Sequence, residues 1–492
     1  MPESPELNFA GRLISRLGAN SALIDASSGQ VLGAAEIQRS VASFAAGFLK
    51  TGLRPGDRLL IGCGLNPAGT LAYLGAMYAG IIPVLVDDRT LSTSAEGVFK
   101  KANAKAVWTG RSGGWDWSRK NAVPLIEGHL DASSAVPFPP SPCTEDDLAV
   151  LMPTSGSTGH PRLVKVSHGN LMANTDAIIR TQHLASDDKA MLIMPVSYCF
   201  GASIMHTHLY QGGAVVFDSS FIFPDKVLNA INLYGCTTFA GVPTVYNILL
   251  RRSNLRSIAL PRLRRFLQAG GALAVESVSE LREIVPHADF FVMYGQTEAT
   301  ARISSLPANS YAEKLGSVGR VLDNLAIRIV DDQGQELPVG NTGEIQVSGP
   351  SVCAGYFNDP DATQGKFDDG WLRTGDLGRL DEDGYIWLMG RTSEFIKIRG
   401  IRLSLAEVES KVVGVPGVCE CAAAAVEHPE AGEALALYVV RDGSEENGTP
   451  SLIDRVRQAL PPQWTCASVK LVPELPKTPN GKIARSLLHT VA

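Results

Sequence analysis

From about residue 20 to Tyr294, short apolar runs alternate with stretches whose apolar residues recur at helical spacing, and this alternation limits the possible folds more than any other feature of the chain. Ala35 to Leu53 has the helical spacing. Pro55-Gly56-Asp57 then turns into an apolar run, Arg58 to Gly62, followed by a helix through Leu71 to Tyr78 and a run from Ile81 to Val86. Such a chain builds βαβ units, parallel strands with helices on both faces of the sheet. The Pro-rich segment Val136 to Pro142 marks a connection to a second region of the same kind. Strands are expected there at Leu148 to Leu151, Ala190 to Met194, Ala214 to Phe217, Thr237 to Gly241, Phe266 to Ala269 and Asp289 to Met293. Helices are expected to start near Ser167, at Pro224 and at Pro243, proline suiting a first turn. From about 316 to 390 the pattern becomes short alternating strands with turns at Asp331 to Gly334 and Asp381 to Gly384, an antiparallel β subdomain. After Arg391 a compact α+β unit is expected, with polar Thr392-Ser393-Glu394 as its hinge. A chain of 492 residues exceeds what one hydrophobic core usually serves. The expected class is therefore α/β: an N-terminal domain at 1–391 made of two βαβ-type sheets and a β subdomain, a hinge at 392–394, and a small α+β domain at 395–492.

One segment of the second region carries chemistry. Met152 to Pro161 reads Met-Pro-Thr-Ser-Gly-Ser-Thr-Gly-His-Pro; it follows the apolar run Leu148 to Leu151 and precedes the helix expected near Ser167. Its glycines and small hydroxyl residues offer bare backbone N–H groups and rotatable O–H donors on an uncrowded turn, the chemistry that wraps phosphate oxygens. It is not a Walker loop, because no Gly-x-x-x-x-Gly-Lys-Ser/Thr occurs and the nearest basic residues are Arg162 and Lys165. Ligands of parallel sheets collect at the carboxyl ends of the strands. Tyr294 to Glu298 also follows an expected strand, so both motifs are expected on one edge.

Further motifs stand downstream in order: Tyr294-Gly295-Gln296-Thr297-Glu298, Gly343-Glu344-Ile345, Trp371-Leu372-Arg373-Thr374-Gly375-Asp376, Gly390-Arg391 and Pro479-Asn480-Gly481-Lys482. With the loop at 152–161 they closely resemble the adenylate-forming enzymes: acyl-CoA synthetases, adenylation domains of nonribosomal peptide synthetases, and beetle luciferases. The resemblance runs from about residue 20 to the end. It implies that a carboxylate attacks the α-phosphorus of ATP to give an acyl adenylate and pyrophosphate, after which a thiol displaces AMP. By match to the family, Thr154, Ser155, Gly156, Ser157, Thr158 and Gly159 would cradle the β- and γ-phosphates. Arg162-Leu163 replaces the family's usual Lys-Gly, keeping the positive charge on a planar fork. Tyr294 would pack on adenine within a motif that includes Gly295 and Gln296, Thr297 would bond the α-phosphate, and Glu298 would be the Mg²⁺ ligand. Gly270-Gly271-Ala272 resembles the adenine-edge turn. Asp376 would accept both ribose hydroxyls, with Arg391 on the same sugar. Lys482 would bridge the acid and the α-phosphate, one cation lowering the repulsion between two anions. In the family the small domain then rotates, removing the lysine and bringing the segment matching Lys397 to Gly400 to the site, where Gly400 gives the thiol's arm room. Ser393 stands where the family's hinge usually has Asp or Lys.

The acyl pocket is expected around Tyr198, Phe200, Gly201 and Val242. Amino-acid-activating members have Phe-Asp where this chain has Phe200-Gly201, and a buried ammonium without a counter-charge costs several kcal/mol. The acid is thus expected to be apolar or aromatic, activated with ATP, Mg²⁺ and coenzyme A; a carrier-protein phosphopantetheine is the alternative acceptor, and a homodimer is left open. The net charge of −6, with no long basic run, argues against nucleic acid as a partner. The N-terminus lacks a signal pattern and no apolar stretch approaches membrane-spanning length, so a cytoplasmic protein with no integral membrane segment is expected. Cys419-x-Cys421 is the one close cysteine pair. On a strand both thiols would share a face, and without further ligands buried free thiols are favoured over zinc.

Overall fold

The computed structural model describes residues 4–87, 95–110, 124–128, 139–154, 161–391, 395–398, 401–428, 432–441, 451–462, 464–477 and 483–490. The chain divides into two compact units. Unit 1 comprises Met1–Arg328, Gln346–Thr374 and Asp381–Trp387; unit 2 comprises Ile329–Ile345, Gly375–Leu380 and Leu388–Ala492.

Unit 1 holds two sheets of the expected construction. The first has six strands in the order Leu125–Glu127, Ala106–Thr109, Arg58–Cys63, Ile82–Asp87, Leu148–Thr154, Arg162–Ser167. Its pairs are parallel except the last, which is antiparallel. Arg58–Cys63 is buried almost throughout, as a strand covered on both faces must be. Two helices, Ala34–Lys50 and Pro67–Tyr78, pack so closely that a Cβ on Gly75 would stand 2.5 Å from that of Phe44. The strand Arg162–Ser167 was not anticipated. The glycine- and hydroxyl-rich segment therefore joins an antiparallel hairpin, and the helix His168–Gln182 begins one strand later, capped by the Ser167 hydroxyl. The mixed composition Arg-Leu-Val-Lys-Val-Ser reads equally as an approach to a helix, which is why this strand escaped the periodicity.

The second sheet has nine strands in the order Arg320–Val321, Ser304–Leu306, Asp289–Tyr294, Arg265–Gln268, Thr238–Gly241, Lys189–Leu192, Ala214–Phe217, Ala22–Asp25, Val31–Gly33. The six central strands are mutually parallel and the outer ones antiparallel. The helices Pro224–Tyr234 and Pro243–Arg252 start at the prolines that were expected to open them. A five-stranded sheet at 326–391 takes the place of the expected β subdomain, and both Asp-containing turns form, Gly334 N–H to Asp331 C=O and Gly384 N–H to Asp381 C=O.

The C-terminal part of unit 2 pairs Gly432–Arg441 with Val418–His428 and Cys466–Leu471, under the helices Leu405–Val413 and Leu452–Ala459. Val408, Val412, Leu435, Leu437 and Val456 form its core. Arg485 forks onto Glu409 and donates to the Ala423 carbonyl at 2.8 Å. The two thiols of Cys419-x-Cys421 do not share a face: the register slips between Val418 and Glu420, leaving Cys419 exposed and Cys421 buried. Among the described residues no group of three or more His, Cys, Asp or Glu could hold a metal ion, and no helix is long and apolar enough to cross a membrane.

At the amino ends of three adjacent strands of the large sheet sits one fully buried carboxylate. Asp188 pairs with Arg265 at 2.7 Å and Arg264 at 3.1 Å, and accepts from the Thr237 hydroxyl at 2.7 Å and the Ala185 N–H at 2.8 Å. Burial pushes the Asp188 carboxyl up, but the Ala185 N–H, the Arg265 guanidinium and the Thr237 hydroxyl together outweigh it and hold it below its ordinary value. A depressed folded-state value means this stabilisation is full above the unfolded-state pKa and is lost as pH falls through the folded one. Asp188→Ala, which strands the buried Arg265, is expected to cost about 3–5 kcal/mol. Urea unfolding at neutral pH measures that loss, and the gap between wild type and variant is expected to close in acid.

Candidate active site

Four neighbouring strands of the nine-stranded sheet end on one edge of unit 1, and each runs into a segment singled out by sequence. Asp289–Tyr294 leads to Glu298, Arg265–Gln268 to Gly270, Thr238–Gly241 to Val242, and Lys189–Leu192 to Tyr198. The chain leaves Lys189–Leu192 for Ala214–Phe217 on one side and returns to Thr238–Gly241 on the other, so the strand order reverses here and the loops diverge. Tyr198 and Val242 stand at that divergence. Gly270 joins them: its φ is +89°, and a Cβ on it would lie 2.9 Å from the Tyr198 hydroxyl and 3.2 Å from Val242 Cγ1. Gly271 is held by the Gln268 amide, which donates to its carbonyl at 2.7 Å, and Ala272 follows it at the surface. Tyr198 meets Phe200 edge to face at 6.3 Å, and burial pushes its phenol well above the ordinary value. A Cβ on Gly201 would meet the Pro195 carbonyl at 2.3 Å, so this backbone has no room for an aspartate at that position.

Gly295 and Gln296 lead from the strand into a single 3-10 turn, Thr297–Ala299, that carries Thr297 and Glu298. The Thr297 hydroxyl reaches Cys199 Sγ at 3.4 Å, and the Gln296 amide reaches the Thr374 carbonyl at 3.4 Å. The turn is closed by a rare conformation. Thr300 has φ +66° and ψ −59°, and the Ala301 N–H bonds the Ala299 carbonyl at 2.7 Å, the pattern of a strained γ-turn. The Thr300 hydroxyl, donating to the Ser351 carbonyl at 2.7 Å, helps hold it. The reversal pushes Ala301 against Gly295, whose Cβ would stand 1.8 Å from the Ala301 carbonyl oxygen. Glycine at 295 is therefore a steric requirement.

Tyr356, which the sequence reading missed, ties the two main motifs together. Its hydroxyl donates to Glu298 Oε1 at 2.6 Å, while the Arg162 guanidinium lies 5.4 Å from the centre of its ring. Burial first, then the adjacent Glu298 carboxylate, pushes the Tyr356 phenol well up, so it remains a donor. Arg162 pairs across the hairpin with Thr154 and lies 3.9 Å from Asp359. Only the three-dimensional return of the chain, through the Val164 to Tyr356 bridge, brings Tyr356 here. One oxygen of the Glu298 carboxylate is anchored, its backbone carbonyl accepts from the Cys353 N–H at 2.9 Å, and the other carboxylate oxygen has no partner among the described residues. That suits a hard cation held between one carboxylate and nucleotide oxygens, the usual mode for Mg²⁺.

Ser155, Gly156, Ser157, Thr158, Gly159, Gly400, Lys482 and the hinge 392–394 lie outside the described residues. In unit 2, Asp376 is nearly buried on the strand Trp371–Leu380 and accepts from Arg391 Nε at 3.1 Å. Lys397 lies on the strand Phe395–Ile398 opposite Arg402. Lys477 and Ile483 form an antiparallel bridge on either side of Lys482.

Comparison with known proteins shows the family of the chain. Residues 14–357 match the family model of the AMP-binding enzymes, and residues 407–482 match the AMP-binding enzyme C-terminal domain. A feruloyl-CoA synthase from Amycolatopsis sp is 34% identical over 470 residues, 93% of either chain. Among solved structures, ATP-bound MatB from Rhodopseudomonas palustris superposes with a TM-score of 0.88 at 26% identity, covering 98% of both chains. The o-succinylbenzoate coenzyme A synthetase MenE from Bacillus subtilis, in complex with ATP and magnesium ion, gives 0.86 at 27% identity, covering 97% of this chain and 99% of that one. The chain belongs to the AMP-binding enzyme family.

The steric role of Gly295 gives a test. Gly295→Ala is expected to lower stability by about 3 kcal/mol, the upper range of overpacking, whereas Gly97→Ala, on a helix with nothing within 4 Å of the added methyl, stays neutral or gains slightly. Thermal midpoints of the two variants check this.

Proposed function

We propose that this chain, an AMP-forming acid–CoA ligase using ATP, Mg²⁺ and coenzyme A, takes a carboxylic acid with an apolar or aromatic body into the cleft beside Tyr198, Phe200 and Val242. The observation that carries the assignment is the Tyr356–Glu298 hydrogen bond, which aims one carboxylate at the edge where four parallel strands end.

Thr154 to Gly159 and Arg162 would hold the β- and γ-phosphates, Thr297 the α-phosphate, Tyr294 and Gly270 to Ala272 the adenine, and Asp376 with Arg391 the ribose. Glu298 would ligate Mg²⁺, which neutralises phosphate charge and so eases attack by another anion. Lys482 would bring a second cation to the bond being formed. Tyr356 keeps Glu298 in one rotamer, so that no reorganisation is needed when charge develops. The thiol arm would enter past Gly400 after the unit carrying Lys482 has turned about 392–394. A cytoplasmic setting is in keeping with the absence of disulfides among the described cysteines.

Carboxylate-dependent pyrophosphate release, measured with and without coenzyme A over ferulate, 4-coumarate, cinnamate and o-succinylbenzoate, tests the reading. Saturable thioester formation with free coenzyme A is the expected result; transfer only to a carrier protein would establish the alternative acceptor. Lys482→Ala is expected to lower adenylation by at least ~10²-fold, the scale of one preorganised electrostatic donor, while thioester formation from supplied acyl adenylate is much less affected. Tyr356→Phe is expected to raise the Mg²⁺ concentration needed for half-maximal rate and to lower that rate about 10-fold; titration of pyrophosphate release with Mg²⁺ reads both.

A further inference from the structure

Arg302 is one of the largest fully buried side chains in the protein, with 2% of its surface accessible, and among the described residues no carboxylate lies within ion-pair distance of it. Its backbone is held by Asn174, which donates to the Arg302 carbonyl at 2.9 Å and accepts from its N–H at 3.2 Å. The guanidinium meets Met293 Sδ, through Nη1, and the face of Phe200, whose ring centre lies 5.5 Å away, with the Cys199 thiol and the Tyr198 phenol close enough to act on its charge. Its remaining donors have no acceptor among the described residues. Against the same Met293 sulfur lies the Gln182 amide, donating at 3.2 Å, and the Gln182 Oε1 is buried without a donor. An under-satisfied cation and an under-satisfied amide thus meet at one buried sulfur.

Such a charge is costly. A guanidinium taken out of water without an acceptor loses several kcal/mol of hydration that a thioether and an aromatic face do not return. Burial pulls Arg302 down to about 10, which still leaves it cationic at neutral pH. Arg265 shows how this fold treats a buried arginine elsewhere, with Asp188 at 2.7 Å. At Arg302, beside Phe200 of the expected acyl pocket, no such partner stands among the described residues. Phe200 touches both the Tyr198 ring and the Arg302 guanidinium, and Cys199 between them touches Thr297.

We propose that Arg302 is the specificity-determining residue of the acyl pocket, recognising a second oxygen-rich, preferably anionic group at the far end of the substrate acid. The inference rests on the acid-activating function above and narrows it. The acid's body packs on Phe200, its reacting carboxylate faces Thr297, and its distal group supplies the acceptors that the guanidinium lacks. A second carboxylate and a phenolic oxygen both offer such acceptors; the carboxylate alone also neutralises the charge.

The test compares matched acids on the full-length enzyme: a straight-chain dicarboxylate against its monocarboxylate, and 4-coumarate against cinnamate. Pyrophosphate release gives kcat/KM for each with wild type, Arg302→Met and Arg302→Lys. Wild type is expected to prefer at least one distal-oxygen acid over its partner by about 10- to 100-fold, the range for a hydrogen bond to a charged group. Arg302→Met removes that preference while the unsubstituted acids keep their rates, and Arg302→Lys retains part of it. The thermal midpoint of Arg302→Met is expected to be unchanged or higher, because an uncompensated charge has gone. Wild-type preference for the unsubstituted member of both pairs overturns the inference, and so does an equal loss on all acids accompanied by a lower midpoint, which would make Arg302 a structural strut. Arg302→Lys and the wild-type ratios decide the matter if Arg302→Met does not fold. Absence of pyrophosphate release with any acid would instead overturn the function on which the inference rests.

Discussion

Asp188 fixes where the site can be. By accepting from Thr237 and pairing with Arg265 and Arg264, it gathers the amino ends of Lys189–Leu192, Thr238–Gly241 and Arg265–Gln268 at one buried point. Parallel pairing then carries the alignment along each strand, residue against residue, to the opposite edge. A strand rises about 3.3 Å per residue, so a slip of one residue at the Asp188 end would displace Tyr198, Val242 or Gly270 by more than a hydrogen bond's length. The close approach of the Tyr198 hydroxyl to Gly270 tolerates no such slip, because even a methyl group there would intrude to 2.9 Å. The polar clamp at one end of the sheet and the crowded, side-chain-poor crevice at the other are two ends of one constraint.

The two buried arginines of that sheet are best understood together. Arg265 is answered in full by a carboxylate and serves the fold. Arg302 is answered by a sulfur and a ring, an arrangement that selection for stability alone would replace by a well-packed apolar side chain. Stability lost at such a place has to be offset elsewhere, and the large apolar core on both faces of the parallel sheet has room for it. The γ-turn at Thr300 is a second local cost a few residues away. Both lie in the short segment between Glu298 and the strand Ser304–Leu306, where backbone and side chains are held in conformations that isolated peptide would not choose.

How much of this could be read in the chain depended on the range of the interaction. Strands such as Ala214–Phe217 and helices opening at Pro224 and Pro243 were legible because burial on both faces and proline at a first turn leave local marks. Tyr294 to Glu298 was legible as a motif, and its place after a strand put it on the right edge. The hairpin partner Arg162–Ser167 was not, since its alternation is broken by charge at both Arg162 and Lys165. Tyr356 and Arg302 were silent for a different reason: one is defined by a carboxylate 58 positions away along the chain, the other by the lack of a carboxylate partner among the described residues. The face shared by Cys419 and Cys421 failed through a single register slip, which no pattern of residue types announces.

The arrangement separates two tasks that make opposite demands. In the proposed function, phosphate binding and adenylation require groups that do not move, and unit 1 would supply them through the Thr297 turn, the close Gly295 contact that shapes it, and the Tyr356 hydrogen bond to Glu298. Acid selection requires a difference between one ligand and another, which backbone supplies poorly and a charged side chain supplies well. In the proposed reading that charge is Arg302, which lies against Phe200 and forms no ion pair with Glu298 among the described residues; beside Glu298 it would compete with Mg²⁺ for the carboxylate. The Phe200 ring, 5.5 Å from the guanidinium, offers it a polarisable face. Changing the residue at 302 can therefore alter what is accepted while leaving the chemistry of adenylation where it was.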